Sequence, residues 1–105
     1  MVMMFSTGDL TEVEATVAED YLDHQGLVGA PIHGAVGFAQ VVATARAAYR
    51  TLEVTIEDLV VAEDRAAARL RWRGTRPSGE LVERETLEIV RIAEGVAVEH
   101  WGGRS

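Results

Sequence analysis

The sequence predicts an α+β protein, a curved antiparallel sheet with helices packed on its concave face. Three observations predict it. Helical spacing of apolar residues is confined to the first half, in Leu10, Val13, Val17 and Tyr21 and again from Phe38 to Tyr49. Period-two alternation is confined to the second half. Turn signals at Glu63-Asp64, Arg76-Pro77-Ser78-Gly79 and Glu94-Gly95 cut that half into a meander. Helices first and hairpin-linked strands after them must share one core as two layers.

Each element follows from local chemistry. Thr11 and Glu14 have capping-box spacing, with Asp9 or Thr7 as alternative caps, so a short first helix is expected. A polar-aromatic stretch, Glu19 to Gln25, ends that helical segment, and Gly26, Gly29 and Pro31 mark a loop. A second helix runs from near Gly34 to about Tyr49, with Phe38, Val41, Val42, Ala45 and Tyr49 as its apolar stripe. Arg46 and Arg50 sit at its end, where cations suit the macrodipole. Strands are expected over Leu52–Ala62, Arg65–Thr75, Leu81–Ile92 and Val96–Trp101. In the second of these, Ala66, Ala68, Leu70 and Trp72 face one way and Arg65, Arg69, Arg71 and Arg73 the other.

Composition narrows function. At 105 residues the chain has room for one domain, 1–105, and one core. A formal net charge of −7 and the lack of a basic face argue against a nucleic-acid partner. Cysteine is absent, which excludes thiol catalysis, thiolate metal sites and disulfides. Lysine is absent, which excludes a Schiff base or a lysine-held cofactor. The three histidines show no His-x-His or His-Glu-x-x-His spacing, so no metal is expected. The apolar start, Met1 to Phe5, is too short for a signal or a membrane span, so the expectation is a cytoplasmic protein with no membrane partner.

The order of pieces resembles the SnoaL-like polyketide cyclase family of the nuclear-transport-factor-two-like superfamily. The matching residues are Gly8-Asp9-Leu10, Tyr21-Leu22-Asp23-His24, Gly37-Phe38, Asp58-Leu59-Val60, Asp64, Arg69, Gly74-Thr75, Val90-Arg91-Ile92 and Gly95 followed by Glu99-His100-Trp101. The resemblance implies a cone-shaped fold with a deep, mostly apolar pocket, dimerisation through the sheet, and cofactor-independent chemistry such as aldol closure of polyketide rings. Three features depart from the family pattern. The chain starts almost at Gly8-Asp9-Leu10, without the longer helix that closes the cone. The usual Gly-Thr-His is Gly74-Thr75-Arg76, and the following excursion is cut to Pro77-Ser78-Gly79. A shallower, wetter pocket is the expectation.

Candidate catalytic residues are Glu99, His24 and Glu85. His24 is either a pocket acid/base or a turn cap. Glu99 is the carboxylate nearest to the family's late-strand acid/base. If it faces inward, so does Trp101, and His100 faces the other side. The indole would then desolvate the acid and raise its pKa. Alternatively, Glu99 pairs with Arg91 or Arg71. Glu85 shares a face with Leu87 and Ile89 and is either pocket-lining or at a fraying strand end. Tyr21, Phe38, Trp72, Arg76 and Trp101 are candidate ligand contacts, and Tyr21 or Arg76 could hold an enolate oxygen. The leading expectation is a cofactor-independent acid–base enzyme acting on a small apolar or aromatic carbonyl compound, as a homodimer. A non-catalytic binding or assembly protein and an epoxide hydrolase, using Arg69 with Glu85 or Glu99, are the alternatives.

Overall fold

The computed structural model describes residues 1–27 and 30–104, so Gly29 lies outside the described residues. The elements are α1 (Val2–Thr7), α2 (Val13–Thr16), β1 (Val17–Leu27), β2 (Ala30–His33), α3 (Gly34–Ala47), β3 (Thr51–Ala62), β4 (Arg65–Thr75), β5 (Leu81–Ala93) and β6 (Val96–Arg104). The strands form one curved sheet in the order β2-β1-β6-β5-β4-β3. All neighbours are antiparallel except β1 and β6, which run parallel. The α+β class and the four later strands are as the sequence predicts.

The first quarter of the chain differs. The segment expected to be a helix reaching Tyr21 is a single turn, α2, and then a strand. Val17 and Tyr21 fit both a helical i, i+4 pair and a strand face of i, i+2 positions, so periodicity alone could not separate them. Pairing with β6 and β2 decides the outcome, and Val17, Tyr21 and Asp23 all end up buried on one face of β1. Gly26 and Pro31, expected in a loop, fall within strands.

The start of the chain, expected to leave the cone open, folds as α1 over the sheet. Three contacts hold it there. Ser6 Oγ accepts from the Val54 amide at 2.8 Å and donates to the Val54 carbonyl at 3.3 Å, which docks α1 on edge strand β3. Arg46 Nη1, from the end of α3, donates to the Phe5 and Ser6 carbonyls at 2.8 and 2.7 Å. These are helix-end carbonyls that would otherwise lack partners. Gly8 terminates α1 at φ 75°, and a Cβ there would lie 2.7 Å from Arg46 Nε. Both the backbone angle and the close approach require glycine.

Two apolar clusters fill the helix-covered face. One contains Met4, Val17, Tyr21, Phe38, Val42 and Ala97, and the other Leu52, Val54 and Leu70. Phe5 joins them. Its ring is edge-on to Phe38 at 6.0 Å and to Trp72 at 5.1 Å. Leu70 and Trp72 are turned inward under α1. The opposite, outer face carries a cross-strand ladder. Arg69 bonds Asp58 and Glu85, Arg71 bonds Glu57 and Glu83, and Arg73 bonds Glu83.

Two bulges shape the later strands, β3 and β6. Ile56 opposes Leu70 and Asp58 opposes Arg69, so Glu57 is an extra residue in β3. Ala97 opposes Ile92 and Glu99 opposes Arg91, so Val98 is an extra residue in β6. Each extra residue exchanges inward and outward positions beyond it. At β6 this determines which side chains reach the interior.

Candidate functional site

A cavity of about 530 Å³ lies between the sheet, α1 and α3. Its walls are mostly apolar, from Val2 and Phe5 of α1, Phe38 of α3, and Leu70 and Trp72 of β4. Its polar lining comes from Tyr21 and Asp23 on β1, Arg84, Thr86 and Glu88 on β5, and His100 on β6. A second depression of about 460 Å³, near Thr51, Gly74 and Val82, lies away from these groups.

His100 is the centre of the polar end. Its Nδ1 lies 2.8 Å from Asp23 Oδ1, and its Nε2 lies 2.5 Å from Glu88 Oε1. All three side chains are nearly buried, at 12, 6 and 11% exposure for His100, Asp23 and Glu88. With a carboxylate at each nitrogen, only the doubly protonated ring donates to both. Burial works against that charge, but the hydrogen bonds and charges of Asp23 and Glu88 outweigh it and raise the His100 pKa to about 9. In return the imidazolium pairs with both carboxyl groups in the apolar wall. Tyr21 is fully buried, and desolvation and the hydrogen-bonded Asp23 carboxylate push its phenol pKa upward. It stays neutral and helps to hold Asp23. Thr86 Oγ1 accepts the Trp72 indole proton at 2.8 Å, fixing that ring in the wall.

The placement of Glu99 and His100 reverses the expected one. The Val98 bulge turns His100 inward, while Glu99 and Trp101 face outward. Without the extra residue, Glu99 and Trp101 would share the inward face of Ala97. Glu99 Oε2 sits 2.6 Å from His24 Nε2, and Arg91 Nε donates to Glu99 Oε1 at 3.0 Å. The His24 hydrogen bond, then Arg91, hold the Glu99 pKa below its usual value. An acid raised by a desolvating indole is therefore absent. Trp101 stacks on His24 at 5.0 Å, and Arg65 lies over the indole at 5.2 Å.

Glu85 is likewise on the outer face, bound to Arg69 at 2.8 Å. Arg76 lies at the β4–β5 turn, 3.3 Å from Glu80 and over the Tyr49 ring. The structure thus brings Tyr21, Phe38 and Trp72 together at the cavity. It places Glu99, His24, Glu85, Trp101 and Arg76 elsewhere.

Asp23, Glu88, Arg84 and Thr86 were missed, although a signal for the β5 residues was present. The inward row of β4 was legible, and the short Arg76–Gly79 turn sets the hairpin register. That register puts Trp72 opposite Arg84, Leu70 opposite Thr86 and Ala68 opposite Glu88. Among the described residues, no group of three His, Asp or Glu side chains is arranged to hold a metal ion.

A curved sheet folded around helices, with one buried polar cluster at the end of an apolar cavity, defines a class. This is the α+β cone of nuclear-transport-factor-two-like and ketosteroid-isomerase-like proteins. A family model described as SnoaL-like polyketide cyclase matches residues 1–103, and the chain belongs to that family. The chain is similar in structure to a candidate polyketide cyclase from Bacillus cereus ATCC 10987. That match has a TM-score of 0.88 and 26% identity, and covers 99% of this chain and 68% of that one. It is also similar to wild-type IdmH from Streptomyces antibioticus, another candidate polyketide cyclase, with a TM-score of 0.84 and 27% identity, covering 97% of this chain and 84% of IdmH. A protein with a ketosteroid-isomerase-like fold from Catenulispora acidiphila DSM 44928 matches at a TM-score of 0.84 and 16% identity, over 99% of this chain and 81% of its own, and shows the fold alone. No curated protein matches the chain. No helix among the described residues is long and apolar enough to cross a membrane.

Proposed function

We propose that the protein is a cofactor-independent acid–base enzyme of the polyketide cyclase type, acting on an apolar carbonyl compound. The observation that carries this reading is His100 held between Asp23 and Glu88 at one end of an apolar cavity. Both ring nitrogens of His100 are engaged, so His100 positions and balances charge. Glu88 binds His100 through Oε1 alone, and among the described residues no hydrogen bond reaches its Oε2. That oxygen is the base. It takes a proton from the carbon next to a carbonyl, and the enolate carbon attacks a second carbonyl. A C–C bond forms, and the new alkoxide takes the proton back from Glu88. No net proton or electron is gained or lost.

The test is a carbon acid in heavy water. An aryl β-diketone of cavity size should exchange its α-protons faster with the protein than in buffer, followed by proton NMR. The Glu88→Gln variant should lose at least about a hundredfold of that acceleration, the usual scale for one acid–base group. A wild-type rate equal to buffer, or an unchanged rate in folded Glu88→Gln, overturns the proposal.

A separate observation supports the homodimer. On the outer face Leu87 is 51% exposed and Ile89 41% exposed, beside Trp101. We propose that a second copy covers this patch. The alternative epoxide chemistry has less support, because the cluster of Arg69, Asp58 and Glu85 lies on the outer face, away from the cavity.

A further inference from the structure

Arg84, like Arg65 on Trp101, packs over an indole, but it does so inside the cavity. It lies opposite Trp72 across β4 and β5, with its guanidinium 5.2 Å above the indole. Its Nε is buried and has no hydrogen-bond partner. Arg69, Arg71, Arg73, Arg76 and Arg91 all bond carboxylates, and Arg46 bonds backbone carbonyls. Among the described residues, Arg84 is the only arginine lining the cavity, and no carboxylate is paired with it.

A guanidinium with a buried, unbonded Nε and an aromatic face on one side retains unmet donors, since the ring quadrupole offers attraction but accepts no N–H bond well. The nearest acidic group on its strand face is Glu88, two inward positions along β5 past Thr86. Four strand residues put their Cα atoms roughly 13 Å apart. Glu88 is already bound to His100. The cavity therefore has a polar row of cation, hydroxyl and carboxylate along β5, with Trp72 and Leu70 beside it. Thr86 accepts from Trp72 and keeps its own proton to donate.

We infer that Arg84 recognises an anionic oxygen, so that the ligand is an apolar ring compound or folded chain with a carboxylate at the Arg84 end. Its reacting carbon would lie at the Glu88 end, within roughly the 13 Å of that row. The placement of the reacting carbon rests on the acid–base reading above; the anion preference does not. An ester or amide of the same shape leaves the donors of Arg84 poorly matched and binds more weakly.

Isothermal titration at pH 7 with 2-naphthoate and 2-naphthamide tests this. The wild-type protein should bind the acid at least about tenfold more tightly than the amide, a difference of about 1.4 kcal/mol. Arg84→Met should abolish the preference, Arg84→Lys should keep most of it, and Glu88→Gln should retain it. Equal affinities in the wild type, or no binding of 2-naphthoate at millimolar concentration, overturn the inference. So does a preference that survives in Arg84→Met, which would make Arg84 a strut on Trp72. If Arg84→Met does not fold, the wild-type and Arg84→Lys comparisons decide it alone. Exchange in Glu88→Gln reports on the acid–base reading separately, so either idea can fail by itself.

Discussion

Nε2 of His100 lies 2.5 Å from Oε1 of Glu88, and the two residues reach each other from neighbouring strands that a single bulge has brought into phase. The consequences of this contact can be measured.

Stability should depend on pH through His100. Its folded pKa of about 9 lies above the 6.5 of a free histidine. The folded state therefore binds more protons than the unfolded state between these values. The stabilisation is complete below about pH 6.5 and is lost as pH rises through about 9, an effect of up to roughly 3 kcal/mol. Urea unfolding at pH 6, 7.5 and 9 should show the decline. In His100→Gln the same series should be nearly flat across that window.

The activity profile should carry the same signature. Loss of the imidazolium removes the cation that Asp23 and Glu88 share, so α-proton exchange should fall above about pH 9. His100→Gln should lower the rate by at least about tenfold and remove that alkaline limb. A limb that persists in the variant would assign the titration to another group.

The outer-face pair offers a contrast. Glu99 and His24 bond each other at 2.6 Å on the side of the sheet away from the cavity. Folded Glu99→Gln and His24→Ala should keep exchange within about threefold of wild type. A hundredfold loss in either would move the site to the other face.

The docking of α1 should be sensitive at Arg46. Truncation to alanine removes two hydrogen bonds to α1 carbonyls, at 2.8 and 2.7 Å. The expected cost is about 1–3 kcal/mol, read as a fall in Tm on the order of 5–15 °C. Protease cleavage near Phe5 should also quicken in this variant. Gly8→Ala should act in the same direction, because it forces both a left-handed angle and a 2.7 Å approach to Arg46.

Assembly can be read by sedimentation. Wild type at micromolar concentration should run as a dimer. Leu87→Arg with Ile89→Glu, both on exposed positions, should give a folded monomer. A monomeric wild type would leave the outer patch without its proposed cover.

Much of this architecture was legible in the amino-acid order. Alternation in Arg65–Thr75 sorted Leu70 and Trp72 from the arginines, and the structure keeps that sorting. The three turns were legible because Glu94-Gly95 and its counterparts restrict the backbone locally; both Glu94 and Gly95 adopt positive φ. Family membership was legible because it rests on the order and spacing of such pieces. These features are decided by neighbours along the chain, which a sequence displays directly.

The cavity chemistry was decided in three dimensions. Alternation gives relative facing within a strand, but one inserted residue reverses it, and nothing in Val96-Ala97-Val98-Glu99 marks Val98 as the extra one. The reversal sends His100 to Asp23 and Glu88, which are 77 and 12 residues away in sequence. Helix α1 is equally a tertiary product. Six residues are too few to hold a helix in water, and Ser6 on β3 and Arg46 from α3 keep it in place. The sequence by itself determined the fold class, the turns and the inward row of β4. Only the packed structure chose which of two adjacent residues, Glu99 or His100, enters the cavity, because bulge register is set by long-range pairing and not by local preference.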